Sequence, residues 1–393
     1  MNTTIIQNTP INIVTNQETL LGSTLIMPII LTPALRQSKM LNSITVIVKT
    51  SNSCNIKCSY CYVNHCTSSS SISINNLPKL IENCCKGFSL VQFVWLGGEP
   101  LLMGLPYYEA ANEIQNYYRK KGTTIHNSLQ TNGTLLNDDF LSFFKKNHFG
   151  VGISFDAPYE TQIQTRTTLF SENEWFSLFK KIKNYGMQLS FLCVVTENNL
   201  HKANEILKFF EKANANHFSL HPEIIFKNLN DSEQLNNSLF ELFKTVFDLW
   251  MQQKSNIIST IDPLSTMISN LNGNVRLCTF SSKCAKGLIS INPNGIVIPC
   301  SSLDISEYYF DTILKDKSLI EILQSQSVQN FRNNLIKTIN ENCKDCKYVS
   351  ICRNGCKSIS YWASQTRYPL CTAYKKTYDY LLNQIKTSSD PRQ

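Results

Sequence analysis

Ile44-Thr45-Val46-Ile47-Val48-Lys49, and after four residues Cys54-Asn55-Ile56-Lys57-Cys58-Ser59-Tyr60-Cys61: this stretch decides how the chain is read. The first run is rich in β-branched residues and predicts a strand. The second sets three cysteines as C-x3-C-x2-C on the loop leaving that strand. Three thiolates on one loop can hold three irons of a [4Fe–4S] cluster and leave the fourth open to a small molecule. A zinc loop is the alternative, with His65 or Cys66 near enough to complete it.

Working outward, strand patterns recur at Val91–Leu96, Thr124–Gln130, Val151–Asp156, Leu189–Thr196 and His217–His221. Helical stripes separate them, such as Trp175, Leu178, Phe179 and Ile182 behind a Ser171/Glu174 capping box. Six strands alternating with helices imply parallel strands and right-handed crossovers. Six units are too few for a closed eightfold barrel. The expected fold is therefore α/β: a partial (β/α)6 TIM-like barrel with its chemistry at the C-terminal strand ends. Residues 1–41 read as a lead-in, 42–272 as the barrel, 273–378 as a cysteine-rich and loop-rich domain, and 379–393 as a tail.

Composition narrows the class. No window approaches the ~20 apolar residues of a membrane span. Fifteen cysteines in an unexported, cytoplasmic chain point to cluster or metal ligation, because a reducing compartment disfavours disulfides. The net charge is +8, but Lys and Arg are scattered, which speaks against a nucleic-acid partner.

Most of the remaining cysteines gather late in the chain. Cys278, Cys284 and Cys300 come first, with Gly295 five residues before Cys300. Cys343, Cys346, Cys352 and Cys356 follow as C-x2-C-x5-C-x3-C, then Cys371. Eight cysteines are the number that ligates two [4Fe–4S] clusters fully. Two zinc sites are the alternative.

Cys54–Cys61 with Tyr60 resembles the C-x3-C-x-aromatic-C signature of the radical S-adenosylmethionine (radical SAM) superfamily. The later cysteines resemble the SPASM domain. The resemblance spans about residues 44–378 and implies S-adenosylmethionine and three [4Fe–4S] clusters as cofactors. It implies that Cys54, Cys58 and Cys61 hold the cluster that binds S-adenosylmethionine. Cys278, Cys284, Cys300 and Cys356 would hold one auxiliary cluster, and Cys343, Cys346, Cys352 and Cys371 the other. It places Tyr60 by the adenine, and Gly97-Gly98-Glu99-Pro100 looks like the motif that contacts the methionine amine. Glycines there would let backbone approach a ligand closely. Gln130-Thr131-Asn132-Gly133 matches a third strand-end turn. Ser154 and Arg166 resemble the pair that binds the ribose and the methionine carboxylate. Ala157 stands where the family often has Gly.

The family resemblance also frames the reaction. Members with this domain oxidise peptides or proteins, with a ferredoxin- or flavodoxin-type electron donor. The size and lead-in resemble maturases of ribosomally made precursor peptides that install crosslinks such as cyclophanes, and this is the first expectation. An anaerobic sulfatase maturase, forming formylglycine, is the second. In those enzymes an Asp usually follows the third inner-cluster cysteine as base, whereas here Ser301 follows Cys300 and the nearest acid is Asp304. Asp304 is thus one catalytic candidate. Asp156 is another, with a structural hydrogen-bonding role open to it equally.

Overall fold

The computed structural model describes residues 43–65, 70–167, 170–223, 232–253, 257–275, 278–281 and 284–388. The expected lead-in at 1–41 lies outside them, as do Cys66 and the side chain of His65. Each strand pattern forms a strand: β1 Ser43–Lys49, β2 Leu90–Leu96, β3 Thr124–Thr131, β4 Phe149–Ser154, β5 Ser190–Val195 and β6 His217–Pro222. All pair in parallel and in chain order. A helix crosses over between each successive pair. A short seventh strand, β7 Thr260–Asp262, extends the sheet beyond β6. This is the α/β partial barrel the alternation predicts.

The faces of the strands follow from their period of two. Phe218 of β6 stacks on Phe210 of a crossover helix at 4.5 Å, and Phe155 stacks on Phe209 at 4.6 Å. One side of the sheet therefore packs on helices. The other carries Gln130, Ser154, Ser219 and Asp262, and forms the inside of the barrel.

The cysteine-rich region is more regular than expected. Strands β8 Leu288–Ile291, β9 Ile296–Ile298 and β10 Asp311–Thr312 join the same sheet. β8 lies parallel to β1 on the side away from β2. β8 and β9 form a hairpin through Asn292-Pro293-Asn294-Gly295, with Gly295 at φ +76°. A side chain there would also meet Leu314 at 2.5 Å, so glycine serves the turn and its packing.

The expected tail from residue 379 is corrected in part. The last helix runs Cys371–Ser388 and lies against Ser232–Gln252. Tyr374 meets Phe243, Tyr380 meets Phe247, and buried Asn236 bonds to Pro369 O and Ala373 N. Leu381 is fully buried, which a tail residue would not be. Among the described residues no helix is long and apolar enough to cross a membrane.

Candidate functional site

The loop after β1 is stitched to its neighbours mainly through backbone. Gly98 N donates to Ser51 O at 2.7 Å and Glu99 N to Ser53 O at 2.8 Å. A Cβ on Gly98 would stand 2.1 Å from Ser53 O, and one on Gly97 2.4 Å from Ser51 O. The two glycines therefore let one protein loop press against another. On the other flank Ser59 N donates to Thr165 O, and Thr167 N to Lys57 O. Cys54, Cys58 and Cys61 project from a loop clamped on both sides.

Glu99 is turned inward. It is fully buried, and its carboxylate accepts from Thr131 Oγ1 at 2.7 Å, Asn132 N at 2.8 Å and Leu101 N at 3.0 Å. Burial outweighs these bonds and pushes its pKa up to about 7. The side chain ties the Gly-Gly loop to the turn after β3, so an ammonium would meet backbone here and not the carboxylate. Asn132 reaches back to Asn55 at 2.9 Å and to the Cys54 sulfur at 3.7 Å.

Arg166 already has a carboxylate partner. Its Nε donates to Asp156 Oδ2 at 3.0 Å and its Nη2 to Oδ1 at 3.3 Å. Tyr60 OH donates to Oδ2 at 2.5 Å, Thr165 Oγ1 to Oδ2 at 2.7 Å, and Val194 N to Oδ1 at 2.9 Å. Five bonds consume the lone pairs of a fully buried carboxylate. Asp156 thus makes the structural hydrogen bonds that the sequence left open to it beside a catalytic role. The free Nη1 of Arg166 faces the Cys58 sulfur at 3.8 Å. Burial pushes the Cys58 thiol up to about 11, against the pull of Arg166.

Gln130 and Ser154, at adjoining strand ends, bond at 2.6 Å through the Gln130 amide NH2. The Gln130 carbonyl oxygen is buried without a partner. An acceptor left open inside the barrel suits a ligand rich in donors, and S-adenosylmethionine has an ammonium and ribose hydroxyls.

The later cysteines form two groups. Cys278, Cys284, Cys300 and Cys356 are close enough that each feels the charge of others in the set. Burial, then this mutual repulsion, pushes Cys278 up to about 12 and Cys356 up to about 11. Cys343, Cys346, Cys352 and Cys371 line one cavity, with Arg353, Lys375 and Tyr368 beside them. Arg367 Nη2 lies 3.6 Å from the Cys371 sulfur. Among the described residues, no three His, Cys, Asp or Glu side chains are grouped as ligands of a single metal ion. Thiol sets of three and four match the ligand counts of cubane clusters. Loading would release the protons that burial holds on Cys58, Cys278 and Cys356.

Asp304 lies beyond Cys300, where a short turn follows β9. Its Oδ2 pairs with Lys49 Nζ at 2.5 Å and its Oδ1 accepts from Asn292 at 2.9 Å. Lys49 is fully buried at the end of β1. Asp304 thus joins barrel to hairpin, and both of its carboxylate oxygens, expected to serve as a base, are engaged by protein groups. Lys49 escaped the sequence reading as a site residue. Lysine closing an apolar strand was the available signal, because buried lysines need partners. Cys84 and Cys193 are core residues, as expected, and Cys85 is buried with them.

Comparison with known proteins agrees with this geometry. Residues 48–210 match the radical SAM superfamily, and 283–347 match SPASM, an iron–sulfur cluster-binding domain. A cysteine-type anaerobic sulfatase-maturating enzyme of Clostridium perfringens is 27% identical over 366 residues, covering 86% of this chain and 96% of that one. A serine-type anaerobic sulfatase-maturating enzyme of Bacteroides thetaiotaomicron is 25% identical over 84% of this chain and 86% of its own. The solved structure of tagged anSMEcpe with bound AdoMet superposes with a TM-score of 0.78 at 24% identity, over 88% of this chain and 98% of that one. The chain carries a radical SAM core followed by a SPASM domain. It is a radical SAM enzyme, with S-adenosylmethionine and three [4Fe–4S] clusters as its cofactors.

Proposed function

We propose that this enzyme oxidises a cysteine or serine side chain of a protein or peptide substrate to formylglycine, as an anaerobic sulfatase maturase does. The observation that carries the reading is similarity across nearly whole chains to maturases of both the cysteine and serine type. This reverses the order expected from sequence, where a crosslink in a precursor peptide stood first.

In this reading Cys54, Cys58 and Cys61 hold the cluster with the open iron. The quartets Cys278, Cys284, Cys300, Cys356 and Cys343, Cys346, Cys352, Cys371 hold the auxiliary clusters. Bound and reduced, S-adenosylmethionine supplies a 5′-deoxyadenosyl radical that takes one hydrogen atom from the substrate Cβ. Tyr60, backbone of Gly97–Pro100, Gln130 and Ser154 position the cofactor, while Arg166 fixes Tyr60 and the cluster loop through Asp156. The substrate then sheds one electron and the proton on its sulfur or oxygen. A serine becomes the aldehyde directly; a cysteine becomes a thioaldehyde, which water converts to the aldehyde with loss of hydrogen sulfide. A ferredoxin or flavodoxin donates the electrons. Many unpaired cysteines suit the reducing cytoplasm.

The test is anaerobic incubation of the reconstituted enzyme with sulfatase-derived peptides carrying Cys or Ser at the target position. A hydrazine-reactive product is expected. No aldehyde on either peptide, with a crosslink formed in a precursor peptide instead, would overturn the reading.

A further inference from the structure

Oxidation to an aldehyde needs a base for the proton on the substrate sulfur or oxygen, and the residues nearest the expected position do not supply one. Ser301 has no useful basicity at neutral pH. Asp304 is locked to Lys49, Asp156 carries five hydrogen bonds, and Glu99 holds two loops together. Among the described residues, the inside of the barrel offers another candidate for the base.

Strand register shows what else stands there. Ser154, Leu192, Ser219 and Asp262 are successive partners across β4, β5, β6 and β7. Partners in parallel strands share a face, so Ser219 and Asp262 point to the same interior as Ser154. Phe218 and Leu220 point away into the helices. His221, two residues after Ser219, is the last interior position of β6, at the C-terminal mouth where barrel chemistry gathers. Two strand spacings of about 4.8 Å put it on the order of 10 Å across from Ser154, which leaves room for a substrate side chain between them.

We propose that His221 is the catalytic base that removes this proton. The inference rests on the formylglycine reading above. His221 Nε2 lies 3.1 Å from Ser219 Oγ. With Nε2 donating to that hydroxyl, Nδ1 is the nitrogen that receives the proton. Burial, offset partly by the charge of Asp262 and reinforced by His217, holds the imidazole pKa down to about 4, so the ring meets substrate uncharged. Such a weak base suffices. Once the electron has left for a one-electron acceptor, an iron–sulfur cluster, the proton belongs to a protonated aldehyde or thioaldehyde, a strong acid. Asp262 also accepts from Thr266 N and Oγ1, which fixes it where its charge favours the imidazolium.

The test uses the fully reconstituted enzyme, a target peptide deuterated at Cβ, and the variants His221→Gln and His221→Ala. Iron content and deuterium transfer into 5′-deoxyadenosine should stay near the parent level. Aldehyde per 5′-deoxyadenosine should fall about a hundredfold, the usual scale of general-base catalysis. Added imidazole should restore part of it in His221→Ala but not in His221→Gln. An unchanged ratio in His221→Gln would overturn the proposal. So would equal loss of 5′-deoxyadenosine and aldehyde, which would place His221 in substrate binding. Failure of the parent enzyme to form aldehyde would instead sink the formylglycine reading, and this inference with it.

Discussion

Asp156→Asn tests whether the hub beneath the cluster loop is structural. The substitution keeps shape and an acceptor at Oδ1 for Val194 N and Arg166 Nη2. It puts an NH2 where Oδ2 accepted from Tyr60, Thr165 and Arg166 Nε. The two hydroxyls can turn and accept instead, so the cost concentrates on Arg166, whose side chain is only 7% exposed. A buried charge left without its partner costs about 3–5 kcal/mol. We expect about 4 kcal/mol, read as a lowered urea midpoint under anaerobic conditions. The exposed pair Lys181–Asp138 is the control, and Asp138→Asn should leave the midpoint close to the parent's. Arg166 also backs Cys58, so Asp156→Asn should lose about a third of its iron, the share of one cluster in three. An Asp156→Asn protein with parental midpoint and full iron would refute the reasoning.

Changing Cys54, Cys58 and Cys61 together to Ala should leave about two thirds of the iron and abolish 5′-deoxyadenosine formation, assayed by iron analysis and chromatography. Gly98→Ala drives a Cβ to 2.1 Å from Ser53 O; the loops must part, and S-adenosylmethionine affinity by calorimetry should fall at least about tenfold. Glu99 titrates near 7 when folded, well above its unfolded value, so it opposes folding once ionised. Its penalty is absent below about pH 4.5 and grows as pH rises through 7, to about 3 kcal/mol. Urea midpoints of the parent should therefore decline across pH 5–8 relative to Glu99→Gln, and parallel curves would exclude the assignment. Cys343→Ala should remove the spectroscopic signal of one auxiliary cluster and Cys284→Ala that of the other; loss of the same signal by both would break the grouping.

The barrel was legible because six strand patterns alternate with helical stripes, four of them rich in Val, Ile, Leu and Phe and two, β3 and β6, with only a pair of such residues each. Strand β7 is three residues long and carries no such signal. Strands β8 and β9 are short runs between cysteines, and only pairing with β1 makes them part of the sheet. That pairing is long-range, so local patterns could not contain it. The cysteine groups were legible for the opposite reason, since ligand spacing along a loop is a local property.

The site was legible as a set of positions and much less as a set of contacts. Motif residues at the strand ends were expected to face a ligand, yet many of their side chains face one another. Glu99 holds the turn after β3, Asp156 holds Arg166 and Tyr60, and Asp304 holds Lys49. Each strand end is a loop with few apolar residues, so it cannot be fixed by burial alone and is fixed by charge and hydrogen bonds instead. The carboxylates are consumed in that work. Among the described residues the Gln130 carbonyl oxygen stays open and the His221 imidazole is engaged at Nε2 alone, neither of them marked by charge in the sequence. A residue's closeness to a motif therefore says where it stands, while its remaining lone pairs say what it can do.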